Sequence, residues 1–202
     1  MVNRKGYLVA ITGTAGSGKT TVLNFLKEYH YYVFDADDFS RNVIKSNNEV
    51  IKYLENIIGE KLLNNDIFDF KKVGQFFDNN PLLESKFEVW YQRIMAKKII
   101  EEIEKLEKED IYFFDIPFLD KKGISDYFNE IWLIKTDYKI CFDRIKNRNN
   151  YSDNKIRYLI ERSEVNLSAL SSKHIIINNN QSIDDIKKKI FFEIQRLEKM
   201  FG

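Results

Sequence analysis

The chain has 202 residues, enough for one α/β domain with a sizeable core and a helical insertion. Its 32 Lys and Arg against 31 Asp and Glu leave a net charge of +1, so the charge balance gives no support for a nucleic-acid or anionic-membrane partner. Cys141 is the only cysteine, which excludes an intrachain disulfide, a Cys/His zinc cluster and a redox pair, and points to a reducing cytoplasm.

Residues 7–11, Tyr-Leu-Val-Ala-Ile, form a short, continuously apolar run that reads as a strand buried on both faces of a parallel sheet. The run stops at Thr12 and Gly13, too short for a signal segment or a membrane span. The stretch Gly13-Thr-Ala15-Gly16-Ser17-Gly18-Lys19-Thr20 fits Gly-x-x-x-x-Gly-Lys-Thr and leads into a helix predicted over 19–29. Glycines let successive backbone N–H groups turn toward one anion, and the helix start adds its positive end. Lys19 then reaches the outer phosphates, and the Thr20 hydroxyl can ligate Mg²⁺. Residues Ala15 to Thr21 are therefore the candidate triphosphate contacts.

A second strand is predicted over 31–34, and carboxylates crowd its end at Asp35, Asp37 and Asp38. Ligands of open α/β sheets bind at that edge, where a carboxylate can orient an acceptor hydroxyl and take its proton. For Asp37 and Asp38 an acidic cap on the next helix is the other reading. Residues 40–108 carry mostly helical patterns and read as an insertion. Within it, Asn79 or Asn80 caps a helix opening with Pro81, whose apolar stripe runs through Leu83, Phe87, Trp90, Ile94, Met95, Ile99, Ile103 and Leu106.

Further strands are predicted at 111–114, 130–134 and 174–177. Five strands alternating with helix-period segments make the class α/β. Asp115 ends the third strand, either supporting Mg²⁺ beside the phosphate loop or fixing the turn at Pro117. After the fourth strand, Arg144 and Arg148 stand four apart on one helix face, where guanidinium groups can fold over a triphosphate. The last helix shows Ser182 and Asp185 as a capping pair and a stripe of Ile183, Ile186, Ile190, Ile194 and Leu197.

A GTPase reading could borrow Asp120-Lys-Lys-Gly123, but Asn154-Lys155 continues as Ile156-Arg157, without the aspartate that would read guanine. A small ATP-dependent kinase suits the length and the motifs. Two alternatives stay open on the residues alone: a kinase for another nucleoside, nucleotide or small hydroxyl acceptor, and a non-catalytic ATP-binding regulatory module.

With Gly13 to Thr21 succeeded by Phe34-Asp35-Ala-Asp37-Asp38-Phe-Ser-Arg41, the chain resembles the dephospho-coenzyme A kinase family. Ile58-Gly59, Asp115-Ile-Pro117-Phe-Leu119, Arg144-Ile-Lys-Asn-Arg148 and Ile175-Ile-Ile-Asn178 then come in the family's order. The resemblance implies a three-layer P-loop kinase fold: a five-stranded parallel sheet, a helical acceptor-binding insertion at about 40–108 and a lid at about 141–165, in one domain. It also implies ATP and Mg²⁺ as cofactors, and dephospho-coenzyme A as the small-molecule acceptor phosphorylated on its ribose 3′-hydroxyl. Asp35 would be the base, Lys19 and Arg144 would be catalytic, and Arg148 would belong to the lid. Asp37, Arg41 and Asp115 would lie on the acceptor side, Thr20 and Asp115 by the metal, and Asn178 near adenine. The chain departs from the pattern at Phe70, at Tyr91-Gln92, at Asp120-Lys121, at a glutamine usual near Arg162, and at Ser172-Lys173.

Overall fold

The computed structural model describes residues 6–65, 67–170 and 173–201. Ser172, one of the departures from the family pattern, lies outside them. The chain divides into two compact units, Met1–Ala36 with Ile100–Gly202, and Asp37–Ile99.

The first unit is built on a five-stranded, all-parallel sheet of β1 (Tyr7–Thr12), β2 (Tyr32–Asp35), β5 (Ile111–Asp115), β6 (Glu130–Lys135) and β7 (His174–Asn178). Their order across the sheet is β2-β5-β1-β6-β7, so the strand that feeds the phosphate loop is central. Leu8, Val9, Ala10 and Ile11 are all essentially inaccessible, as an apolar run with neighbours on both sides and layers on both faces requires. On one face Val9, Ile11, Phe113, Trp132 and Ile134 pack against α1 (Lys19–Glu28) and α9 (Ile183–Phe201) through Val22, Leu26, Ile186, Ile190 and Ile194. Each such side chain, fully buried, contributes about 1.5–3 kcal/mol of transfer free energy. Glu130 is a buried charged residue of the sheet: it accepts from Trp132 Nε1 at 2.7 Å and pairs with Arg196 of α9, which satisfies the carboxylate as it is desolvated.

The first unit is completed by α6 (Leu119–Lys122), α7 (Tyr138–Arg148) and α8 (Asp153–Arg162). The last two form a hairpin closed by its own small core of Cys141, Ile145, Ile156 and Ile160. Ser182 and Asp185 cap α9 as the sequence predicts: the carboxylate accepts from Ser182 Oγ at 2.5 Å, and Ser182 Oγ accepts from the Asp185 amide at 3.2 Å.

The second unit holds most of α2 (Ala36–Ser46), α3 (Asn48–Ile58), α4 (Phe70–Asn79) and the first part of α5 (Pro81–Glu104). It also holds an antiparallel hairpin, β3 (Leu63–Asn64) with β4 (Ile67–Phe68), that the helical reading of 40–108 did not include. Asn79 ends α4, and Asn80 is the junction residue whose carbonyl accepts the first amide bonds of α5, from Leu83 and Glu84 at 3.0 Å. Trp90 stacks on Tyr53 with ring centroids 4.3 Å apart.

Candidate active site

The phosphate loop leaves β1 at Thr12 and enters α1 at Lys19. The start of α1 has no side-chain cap and no acidic residue in its first turn, so its own side chains do not neutralise the positive helix end. The Ser17 carbonyl is pinned from behind by Asn179 Nδ2 at 2.8 Å and Thr136 Oγ1 at 2.9 Å, with Arg144 Nη1 at 3.4 Å. Because a trans peptide sets C=O and the following N–H in opposite directions, fixing that carbonyl inward aims the Gly18 N–H outward, to where an anion would sit. Gly18 has φ 96°, and a Cβ there would collide with the Asn179 amide, so this close approach requires glycine. The Lys19 ammonium folds over its own loop, donating to Gly13 O at 2.5 Å and Thr14 O at 3.3 Å. Thr20 is exposed and Thr21 half-buried in the first turn of α1.

Arg144 reaches the loop as well. Its Nη1 lies 3.4 Å from Gly16 O, and its Nη2 donates to Asn179 O at 3.1 Å. Arg148 is exposed at the end of α7. Below the arginines, Cys141 is buried, and desolvation pushes its thiol pKa up.

The carboxylates emerge on the same sheet edge. Asp35 and Asp115 are register partners at the ends of β2 and β5, and Asp115 also pairs with Ile11 of β1, two residues before Gly13. Asp115 is 7% exposed, and the amide after it donates to Ile11 O at 2.9 Å, which fixes the strand end. α2 begins at Ala36, so Asp37 and Asp38 occupy its first turn, where acidic groups favour the helix dipole, and do not stand before it as caps. Asp37, Asp38 and Arg41 are exposed on α2. Among the described residues, no group of three or more His, Cys, Asp or Glu is placed to hold a metal.

Asn178 ends β7 and is exposed, with its carbonyl accepting from Lys189 Nζ at 2.8 Å. The next residue, buried Asn179, is the one that reaches the phosphate loop. Neither Asn179 nor Thr136 stood out in the sequence, since both act through positions that only neighbouring strand ends bring together. Of the departures, Phe70 is exposed at the start of α4. Tyr91 is buried, its hydroxyl donating to Ser40 O at 3.0 Å with Ser40 Oγ also 3.0 Å away. Burial pushes that phenol up to about 12.

The chain is 31% identical over 201 residues to a dephospho-CoA kinase of Streptococcus thermophilus, covering 96% of this chain and 99% of the relative. It is 28% identical over 200 residues to one of Streptococcus mutans, covering 95% and 98%. Its fold superposes on the solved dephospho-CoA kinase of Campylobacter jejuni with a TM-score of 0.69 at 20% identity, covering 98% of this chain and all of that one. The family model for dephospho-CoA kinase matches residues 7–185, a range that includes all five strands of the sheet, and the chain belongs to that family.

Proposed function

We propose that the chain transfers the γ-phosphoryl group of ATP to the ribose 3′-hydroxyl of dephospho-coenzyme A, giving coenzyme A and ADP in the cytoplasm. The observation that carries this reading is the register pairing of Asp35 with Asp115 one strand away from the phosphate loop, in a member of the dephospho-CoA kinase family. It supports a reading in which one carboxylate takes the proton and the other supports the metal at a single sheet edge.

The loop amides of Gly16, Gly18, Lys19 and Thr20 hold the phosphates, with Ala15, Ser17 and Thr21 shaping the turn. Lys19 exchanges the carbonyls of Gly13 and Thr14 for phosphate oxygens, a change that swaps neutral acceptors for charged ones. Arg144, held beside the loop, and Arg148 stabilise charge on the transferring group. Asp35 accepts the proton of the 3′-hydroxyl as the new O–P bond forms and the bond to the departing ADP breaks. Asp37 and Arg41 serve the acceptor side. Asn179 braces the phosphate loop through Ser17 O, and Asn178, exposed at the end of β7, serves the adenine side.

The donors at this edge, a threonine hydroxyl and an aspartate carboxylate, are hard oxygens. With no protein cage of three or more ligands among the described residues, they fit Mg²⁺, which takes one or two protein oxygens and completes its shell with phosphates and water. Thr20 and Asp115 would hold it, and it would supply neutralisation of the β and γ oxygens.

The test is product mass after incubation with Mg²⁺-ATP and dephospho-coenzyme A, beside a panel of nucleosides and nucleoside monophosphates. One added phosphoryl group on dephospho-coenzyme A alone supports the reading, and turnover of another acceptor overturns its acceptor. Asp35→Asn is expected to lose turnover by at least about 10²-fold while still binding ATP, and retained turnover removes Asp35 as base.

A further inference from the structure

The phosphate loop makes a contact that phosphate binding does not require. The Ala15 amide donates to Ser163 Oγ at 2.8 Å, across 148 positions of sequence. Ser163 directly succeeds α8, and its own hydroxyl proton faces the last-turn carbonyls of Leu159 at 2.7 Å and Ile160 at 3.0 Å. With the proton directed at the helix, the lone pairs of that oxygen are left to the loop. Ala15 also packs on the Cys141, Ile145, Ile156 and Ile160 core of the α7–α8 hairpin.

The segment around Ser163 is tethered on another side too. Lys121 Nζ of α6 donates to Arg162 O at 2.7 Å, and the Asn166 amide donates to Asp120 Oδ2 at 3.1 Å. The end of the hairpin that carries Arg144 is therefore fixed to α6 and bonded to the loop. A loop bonded to the base of the hairpin takes a backbone conformation that depends on where the hairpin sits.

We propose that Ser163 is a positioning residue: it latches the arginine-bearing hairpin to the phosphate loop and presets that loop for nucleotide. This rests on the reading of the loop as the ATP site. Removing the acceptor leaves the Ala15 N–H without its bond, so the free loop samples more conformations and loses more entropy when nucleotide orders it.

The experiment measures ATP and ADP binding by titration calorimetry, without acceptor, alongside the KM for ATP, kcat and thermal midpoint of Ser163→Ala, Ser163→Cys and Ser163→Thr. Ala, and Cys if the Ala variant does not fold, should weaken nucleotide binding and raise the KM for ATP by roughly three- to tenfold, with kcat within about twofold. Thr, which keeps the hydroxyl, should restore both constants. A lower thermal midpoint with unchanged nucleotide affinity and KM overturns the latch, as does a Thr variant that behaves like Ala. Wild-type protein that binds no ATP overturns the nucleotide reading beneath it, a result that calorimetry on wild type alone distinguishes.

Discussion

Replacing Asn179 with Ala removes a buried amide whose Nδ2 donates to Ser17 O at 2.8 Å, and leaves the Asn179 backbone carbonyl still facing Thr136 and Arg144. Deleting one partner of a buried hydrogen bond costs about 1–3 kcal/mol. The Ser17 carbonyl keeps Thr136 Oγ1 at 2.9 Å and Arg144 Nη1 at 3.4 Å, so it is not orphaned and the low end applies, about 1–1.5 kcal/mol. Part of this appears as global stability and part as loss of loop order, since the same bond fixes the peptide that aims the Gly18 amide. Urea unfolding should show the midpoint shift, and ADP titration a Kd raised by roughly three- to tenfold. Asn178→Ala is the control for stability: its side chain is exposed, so its urea midpoint should stay within error. Equal midpoint shifts from the two variants, or no effect from Asn179→Ala, would refute the argument that the carbonyl behind the loop sets the amide in front of it.

Gly16→Ala should destabilise by about 2–4 kcal/mol, because φ is 78° and the new Cβ would lie 2.7 Å from the Cys141 carbonyl; denaturant unfolding measures it. Cys141, buried and with its thiol pKa raised by desolvation, should resist a disulfide reagent at about pH 8 until the protein unfolds, and rapid stoichiometric labelling of folded protein would contradict that. The Asp185 carboxyl is held below its ordinary range by its Ser182 hydrogen bonds. A depressed folded pKa means that its contribution is present above the unfolded value, near 4, and is lost as pH falls through the folded one. The stability difference between wild type and Asp185→Asn should therefore shrink as pH falls below about 4, which denaturation at a series of pH values would show.

The sheet was legible because its signals are local. A buried parallel strand is an unbroken apolar run, as in residues 7–11, and the phosphate loop is a glycine pattern lying between such a run and a helix. The β3–β4 hairpin escaped because two strands of two residues each carry no periodicity. The departures at Tyr91 and Lys121 show the limit from the other side. Residue type alone gives no hint that the Tyr91 phenol bonds to Ser40 or that the Lys121 ammonium caps the Arg162 carbonyl.

Asn178, Asn179 and Asn180 mark the division most clearly, being the same residue three times over. One keeps its side chain exposed and gives its carbonyl to Lys189, the next is buried against Ser17, and the third accepts from the Asp137 amide at 2.9 Å. The chain's own pattern determined the α/β class, the phosphate loop and the carboxylates at strand ends, since those depend on backbone conformation and short-range spacing. Which asparagine braces the loop, and that Ser163 touches Ala15, were decided only when strands and helices distant in sequence packed together. A side chain's partner depends on the direction in which its strand end or helix end points, and that direction is set by packing.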